Sequence, residues 1–337
     1  MTTPRFSAWL GTDHAMPWHT NRNGGLVPVP SGKGLDLRAS GPVIPLCGQG
    51  AIIGHLFERG AVSRRVLRLE PDRIERIVAT KGASLVREFW GGYVAFLLDA
   101  QGCWHILRDP SGTLPVYWRR LAAGIALASG LEEPPFRYQD GVGIDYEALC
   151  LHLGAAHHAG AATCLAGVSE LLAGEVLCLG NDGVRNTALW SPWDHVHDRR
   201  QDAQVTADDL HAVVSDVVAA WGDVFASVLL GMSGGLDSSI VAAALHRSRT
   251  RVRGVTLYWP DGEGDERAWA RLAAQSAGVD LQEAAYRFSD VDLDAPVVRD
   301  TSRPQLSFHV QALAATDDVL GYPRAISPGT AATTCLV

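Results

Sequence analysis

The sequence predicts two architectures in tandem: a β-rich α+β half to about residue 190, then an α/β unit built on a parallel sheet. Two observations carry this. Before residue 190, short apolar runs alternate with glycine and turn residues, as in "AIIGHLF", "GIALASG" and "GEVLCLG". After it, apolar runs and helical stretches follow in strand–helix–strand–helix order, the pattern of parallel strands with covering helices.

Each element has its own signal. "YVAFLLDAQGCWHILRD" (93–109) reads as two strands joined by a turn at "DAQG", and helical segments fall near 71–88 and 144–153. "LWSPWDHVHDRRQDAQ" (189–204) is polar, charged and aperiodic, and is expected to be a linker. A helix follows, with Thr206 as its expected cap and Asp209 as the capping-box partner. Leu210, Val213, Val214, Val217, Val218 and Trp221 recur at helical spacing as one apolar face. Next come a strand "ASVLLGM" (226–232), a loop 233–237 and a small-residue helix "SSIVAAALHRS". A strand "RVRGVTLYW", a helix "DERAWARLAAQSAG" and a short strand near "LQEAAY" complete the pattern.

Composition narrows the function classes. Of 337 residues, 47% are apolar and 20% charged, an ordinary globular balance, and the length suggests roughly two domains of about 150 residues each. The net charge of −8, with no basic run, argues against nucleic acid as a partner and for a small molecule or peptide. The six cysteines form no C-x-x-C pair, so neither a zinc site nor a disulfide framework is indicated. "MTTPRFSAWLG" lacks the apolar core of a signal peptide, and no apolar stretch reaches the roughly 18 residues of a membrane span. No membrane partner and a cytoplasmic location are expected.

The stretch with the most chemistry is "GMSGGLDSSI" (231–240). At the carboxyl end of a parallel strand, a loop running into a helix N-terminus aims backbone N–H groups and the positive end of the helix dipole at a ligand. Gly234 and Gly235 let the backbone approach an anion closely, and Ser233, Ser238 and Ser239 add hydroxyl donors. Together they make a cradle for phosphate. Asp237 would repel a bare phosphate, but it fits as a ligand of Mg²⁺, which binds through one or two carboxylates plus phosphate oxygens. The loop lacks the lysine of a G-x-x-x-x-G-K-[ST] P-loop.

"SGGLDSS" resembles the pyrophosphate (PP) loop of the N-type ATP pyrophosphatases, in the asparagine-synthetase branch. The resemblance implies ATP and Mg²⁺ as cofactors, adenylation of a carboxylate with loss of pyrophosphate, and attack of an amine on the acyl adenylate. It places Leu257, at the end of "GVTLYW", near the adenine, and likens "GDERAWARLAAQSAG" (264–278) to the family's next segment. Asp265 and Glu266 there serve either the site or simply the first turn of a helix. "RDPSGTLPVYW" (108–118), "FWGGYVAFLLD" (89–99) and "GVSELLAGEVLCLG" (167–180) resemble class II glutamine amidotransferase domains. The implied architecture is an α+β amidotransferase-like sandwich over 1–195, then the ATP-binding unit over 205–337. Arg108 and Asp109 are expected to form a structural ion pair. True amidotransferases of that class begin with a catalytic cysteine. Here Met1 precedes Thr2 and Thr3 and the first cysteine is Cys47, so no glutamine hydrolysis is expected.

An amidotransferase-like half without that cysteine resembles the β-lactam synthetases and, in "RDPSGTLPVY" and "RPQLSFHVQALAATDD" (303–318), more closely the lasso-peptide macrolactam synthetases. This implies a precursor peptide as partner, with a leader-binding or protease companion, and His309 as a candidate pocket residue. The alternatives are a β-lactam- or asparagine-type enzyme on a small amino acid, and an inactive remnant that only binds nucleotide or peptide. Where relatives continue into S-G-x-G-G-D, this chain has "SPGTAATTCLV" (327–337). Codons for Thr330–Thr334, shifted by two bases, can spell Gly-Gly-Asp-Asn. A frameshift, with a small deletion after Asp318, is therefore expected to leave the ATP-binding unit incomplete at its C-terminus.

Overall fold

The structure, a computed structural model, describes residues 4–11, 25–60, 62–133, 136, 142–155, 160–180, 183–196, 203–260 and 264–285. Expectations on His309, on 303–318 and on 327–337 lie outside the described residues.

The first half is a sandwich of two antiparallel sheets. In the six-stranded sheet, Arg5–Gly11 lies between Leu35–Ser40 and Gly124–Ala128. In the seven-stranded sheet, Gly50–Glu58, Phe89–Leu98, Trp104–Arg108 and Glu175–Gly180 are successive neighbours. The turn between Phe89–Leu98 and Trp104–Arg108 falls at the expected "DAQG". Phe6, Leu37 and Leu127 from one sheet meet Ile53, Val94, Phe96, Ile106 and Leu177 from the other, with Phe6 and Phe96 edge-to-face at 5.3 Å. The far side of the second sheet is covered by helices Pro71–Ala79 and Ala83–Glu88, which bury Ile74, Ile77 and Leu85 on Ile52, Leu56, Leu97 and Leu107. Burial on both faces explains why "YVAFLL" is continuously apolar rather than alternating.

The second unit is a parallel sheet with Arg251–Tyr258 between Ser227–Gly231 and Asp280–Ala285. Helices Leu236–Leu245 and Arg267–Ala277 pack close through small residues, with Ala242, Ala270 and Ala274 almost inaccessible. Val228, Leu230, Met232 and Leu245 fill the remaining core.

Helix Ala203–Gly222 joins the halves, and two expectations about it need correction. It begins at Ala203, so Thr206 lies inside it rather than capping it. Ala and Gln at 203–204 are good helix formers, and nothing in the sequence stops the helix there. The expected apolar face is also divided. Leu210 and Val213 stay 62% and 59% exposed, while Val218 packs on the parallel sheet. Trp221 instead meets the sandwich, edge-on to His55 at 5.5 Å and to Phe57 at 5.3 Å. The Asp216 carboxylate completes this junction. It accepts the Ser63 N–H at 3.0 Å and the Ser63 hydroxyl at 2.5 Å, and that hydroxyl oxygen accepts the Trp90 indole N–H at 3.0 Å.

Candidate functional site

The strand Ser227–Gly231 ends in the turn Met232–Gly235, and the next helix starts at Leu236. Asp237 therefore sits in the first turn of that helix, not in the loop as the sequence suggested. The N-cap is Gly235, which has no side chain to cap the first-turn amides, so those N–H groups and the helix dipole face outward. The Met232 amide bonds to the Val255 carbonyl at 2.8 Å, which pins the turn to the carboxyl end of the central strand.

Gly234 is required twice over. Its φ is +80°, and a Cβ there would lie 2.4 Å from the carbonyl carbon of Trp269 and 2.5 Å from the Ala270 nitrogen. The turn thus rests on the first turn of helix Arg267–Ala277, and the N-termini of both helices converge at one edge of the sheet. The hydroxyls organise the turn. Ser233 Oγ accepts the Gly235 N–H at 3.1 Å, and Ser239 and Ser238 donate to the Gly235 carbonyl at 2.7 and 3.4 Å. Ser238 is buried, whereas Ser233 and Asp237 are exposed. Asp237 has no hydrogen-bond or ion-pair partner among the described residues, so its carboxylate is open to a cation. One carboxylate is not a metal cage, and no group of three or more His, Cys, Asp or Glu side chains suited to a metal occurs among the described residues. That donor set fits Mg²⁺, which takes most of its ligands from phosphate and water.

Leu257 lies two residues beyond the Gly231–Val255 pair, half-buried and opposite Ala284, at the same carboxyl edge as the turn. The structure thus brings Ser233, Gly234, Gly235, Asp237, Ser238 and Ser239 together, with Leu257 along the same edge. Asp265 has a different occupation. Its carboxylate accepts the Arg267 backbone N–H at 3.1 Å and the guanidinium at 2.6 Å, and the Arg267 hydrogen bonds hold its pKa down at about 2. Glu266 is the N-cap and makes no side-chain cap.

Sequence reasoning missed the cations beside these acids. The Arg267 guanidinium lies 3.8 Å over the Tyr258 ring, and Arg271 grips Glu283 at 2.5 and 2.9 Å. Their i, i+4 spacing at the start of a helix that follows a strand was the available signal.

In the first half, Arg108 and Asp109 are structural, but not as a pair with each other. Arg108 binds Glu170 at 2.7 Å and the carbonyls of Leu171 and Gly112 at 2.6 Å each. Asp109, fully buried, accepts the N–H groups of Tyr93 at 3.1 Å and Ser111 at 2.7 Å, and the Ser111 hydroxyl. Arg108 is the last residue of its strand and Asp109 lies just beyond it, where the chain turns, and the two side chains take different partners. Burial raises the Asp109 pKa to about 6, and the Ser111 and Tyr93 bonds limit the rise. Two clefts, of about 380 and 410 Å³, lie away from the glycine-serine turn, beside Arg65 and along the outer strand Asp280–Ala285. Among the described residues no helix is long and apolar enough to cross a membrane.

Residues 199–308 match the asparagine synthase family model, and this segment is asparagine-synthase-like. The match spans about a third of the chain and takes in the whole glycine-serine turn. No curated protein matches the chain. Among solved structures, it is similar to a glutamine phosphoribosylpyrophosphate amidotransferase from B. subtilis complexed with ADP and GMP, at 11% identity and TM-score 0.29 over 95% of this chain and 70% of that one. It is also similar to the allosteric regulatory enzyme of purine biosynthesis, at 9% identity and TM-score 0.28 over 92% of this chain and 64% of that one, less than two thirds of that protein's length. Superpositions this loose support no functional conclusion.

Proposed function

We propose that the chain belongs to the chemistry of ATP-dependent amide-bond formation, in which a carboxylate is adenylated and an amine then displaces AMP. The observation that carries this is the glycine-serine turn, uncapped at Gly235 and seated by Gly234 on a second helix N-terminus, within a segment that is asparagine-synthase-like. In this scheme the first-turn amides with Ser233, Ser238 and Ser239 hold the departing pyrophosphate. Asp237 would hold Mg²⁺, which would supply positive charge against the charge that develops on the leaving group. Leu257 flanks the adenine. No residue need act as a strong nucleophile, because positioning and charge stabilisation supply the rate.

The substrate we assign is a peptide whose side-chain carboxylate is joined to its own amine as a macrolactam. In support, Leu236 (76% exposed) and Ile240 share one helix face, and Trp269 (66% exposed) and Leu272 share a face of the helix that meets Gly234. Apolar surface beside a phosphate cradle suits a peptide better than a polar amino acid. The test is ATP–pyrophosphate exchange with linear peptides that carry Asp or Glu, against free amino acids. Exchange that depends on peptide supports the assignment. Exchange with small amino acids alone transfers it to the β-lactam or asparagine type.

A further inference from the structure

A second cluster with chemical potential lies far from the glycine-serine turn, on the helix-covered face of the seven-stranded sheet. Cys178, on strand Glu175–Gly180, lies directly opposite His105 on the neighbouring strand. The Cys178 Sγ is 3.3 Å from His105 Nδ1, and His105 Nε2 is 2.8 Å from Asp99 Oδ2. The other oxygen of Asp99 accepts the backbone N–H groups of Gln101 at 3.0 Å and Cys103 at 2.8 Å, so the "DAQG" turn fixes the carboxylate. Burial pushes the Asp99 pKa up, but the His105 and backbone bonds outweigh it and leave the carboxyl below its usual range. An ionised carboxylate can only accept, so Nε2 carries the ring proton and Nδ1 presents its lone pair to the Cys178 thiol.

This is a linear relay and not a chelate, because the two ring nitrogens serve partners on opposite sides of the imidazole. Cys178 is partly exposed, as is Cys103. Cys103 approaches Gly180, where a Cβ would lie 3.0 Å from its Sγ, so a second thiol sits beside Cys178 on the same face. Burial raises the Cys178 pKa, Lys81 and Arg185 oppose that, and Asp99 and Cys103 add to it. The resting species is therefore a thiol with two cations in range, ready to pass its proton to His105 on attack.

The geometry points to Cys178 as a thiol-exchange site for small anionic disulfides, with His105 as proton acceptor and Asp99 as the group that positions it. As Cys178 Sγ attacks one sulfur of the disulfide, Nδ1 takes the thiol proton and the S–S bond breaks. The leaving thiolate then receives that proton. The products are one mixed disulfide on Cys178 and one free small thiol, with no outside oxidant. Lys81 and Arg185 favour a disulfide that carries carboxylates.

The test is oxidised glutathione added to the full-length chain near neutral pH, followed by intact mass and peptide mapping over time. Cys47 and Cys150 are more exposed than Cys178 and serve as internal controls. Cys178 should be modified first, as the glutathione adduct, and His105→Gln should slow it at least about tenfold. Asp99→Asn keeps an oxygen for the turn but donates an N–H to Nε2, which moves the ring proton to Nδ1. It should slow Cys178 by a similar factor at unchanged melting temperature and leave Cys47 and Cys150 unaffected. Modification of Cys47 and Cys150 ahead of Cys178, or an Asp99→Asn rate equal to wild type, would overturn the assignment.

Discussion

His55 offers the sharpest test of how the two halves are joined. It is 4% exposed, its Nδ1 has no hydrogen-bond partner among the described residues, and its ring faces Trp221 and Phe225 of the joining helix. Burial, and after it the charge of Arg65, lowers its pKa from 6.5 to about 4. The folded chain thus binds the His55 proton less tightly than the unfolded chain, and stability is lost as pH falls from about 6.5 toward about 4. At about pH 4.5 the two values give a penalty of about 2.5 kcal/mol, against a few tenths at neutral pH. Asp109 works in the opposite direction. Its raised pKa favours the folded state as pH falls through about 6, so wild-type stability alone hides both effects. Comparison with His55→Phe separates them, since Phe keeps the ring against Trp221 and cannot titrate. Urea unfolding followed by tryptophan fluorescence, at neutral pH and at about pH 4.5, should show the variant gaining about 2 kcal/mol on wild type across that interval. A difference between the two proteins that does not change with pH would refute the buried, neutral His55 and the packing that buries it.

Other consequences can be checked in the same way. Asp216→Ala leaves the Ser63 N–H and the Ser63 hydroxyl without their charged acceptor, and should cost about 2 kcal/mol in urea unfolding. Replacing Asp216 by Asn should recover part of that. Arg108→Lys cannot reach Glu170, Leu171 and Gly112 at once, and should lower stability by about 2 kcal/mol with no effect on nucleotide binding. Gly234→Ala meets both the positive φ and the Trp269 backbone. It should cost at least about 1–2 kcal/mol and weaken MgATP binding in calorimetry. Asp237→Ala should leave the melting temperature unchanged and weaken MgATP binding at least about tenfold, or about 1.4 kcal/mol.

Much of this was legible in the sequence because local signals agreed with one another. "SGGLDSS" behind an apolar strand placed the turn at the carboxyl edge of a parallel sheet, and "DAQG" placed a hairpin turn. What failed to show was whatever depends on the other half of the molecule. The spacing of Leu210, Val213 and Trp221 marks one helical stripe. Which part meets the sandwich, which meets the parallel sheet and which stays exposed is decided by packing. The Arg108–Glu170 bond and the Cys178–His105–Asp99 relay each join residues far apart in sequence, so no local pattern announces them. The second role of Gly234 was hidden for the same reason, because the obstacle to a side chain is the backbone of Trp269 on a different helix.

Substrate-dependent ATP–pyrophosphate exchange tests most directly whether the glycine-serine turn serves adenylation. With Mg²⁺ and a carboxylate-bearing peptide, the chain should move labelled pyrophosphate into ATP, and Asp237→Ala should abolish the exchange while remaining folded. Exchange that persists undiminished in Asp237→Ala, or a wild-type chain that binds no MgATP in calorimetry and exchanges nothing, would contradict it.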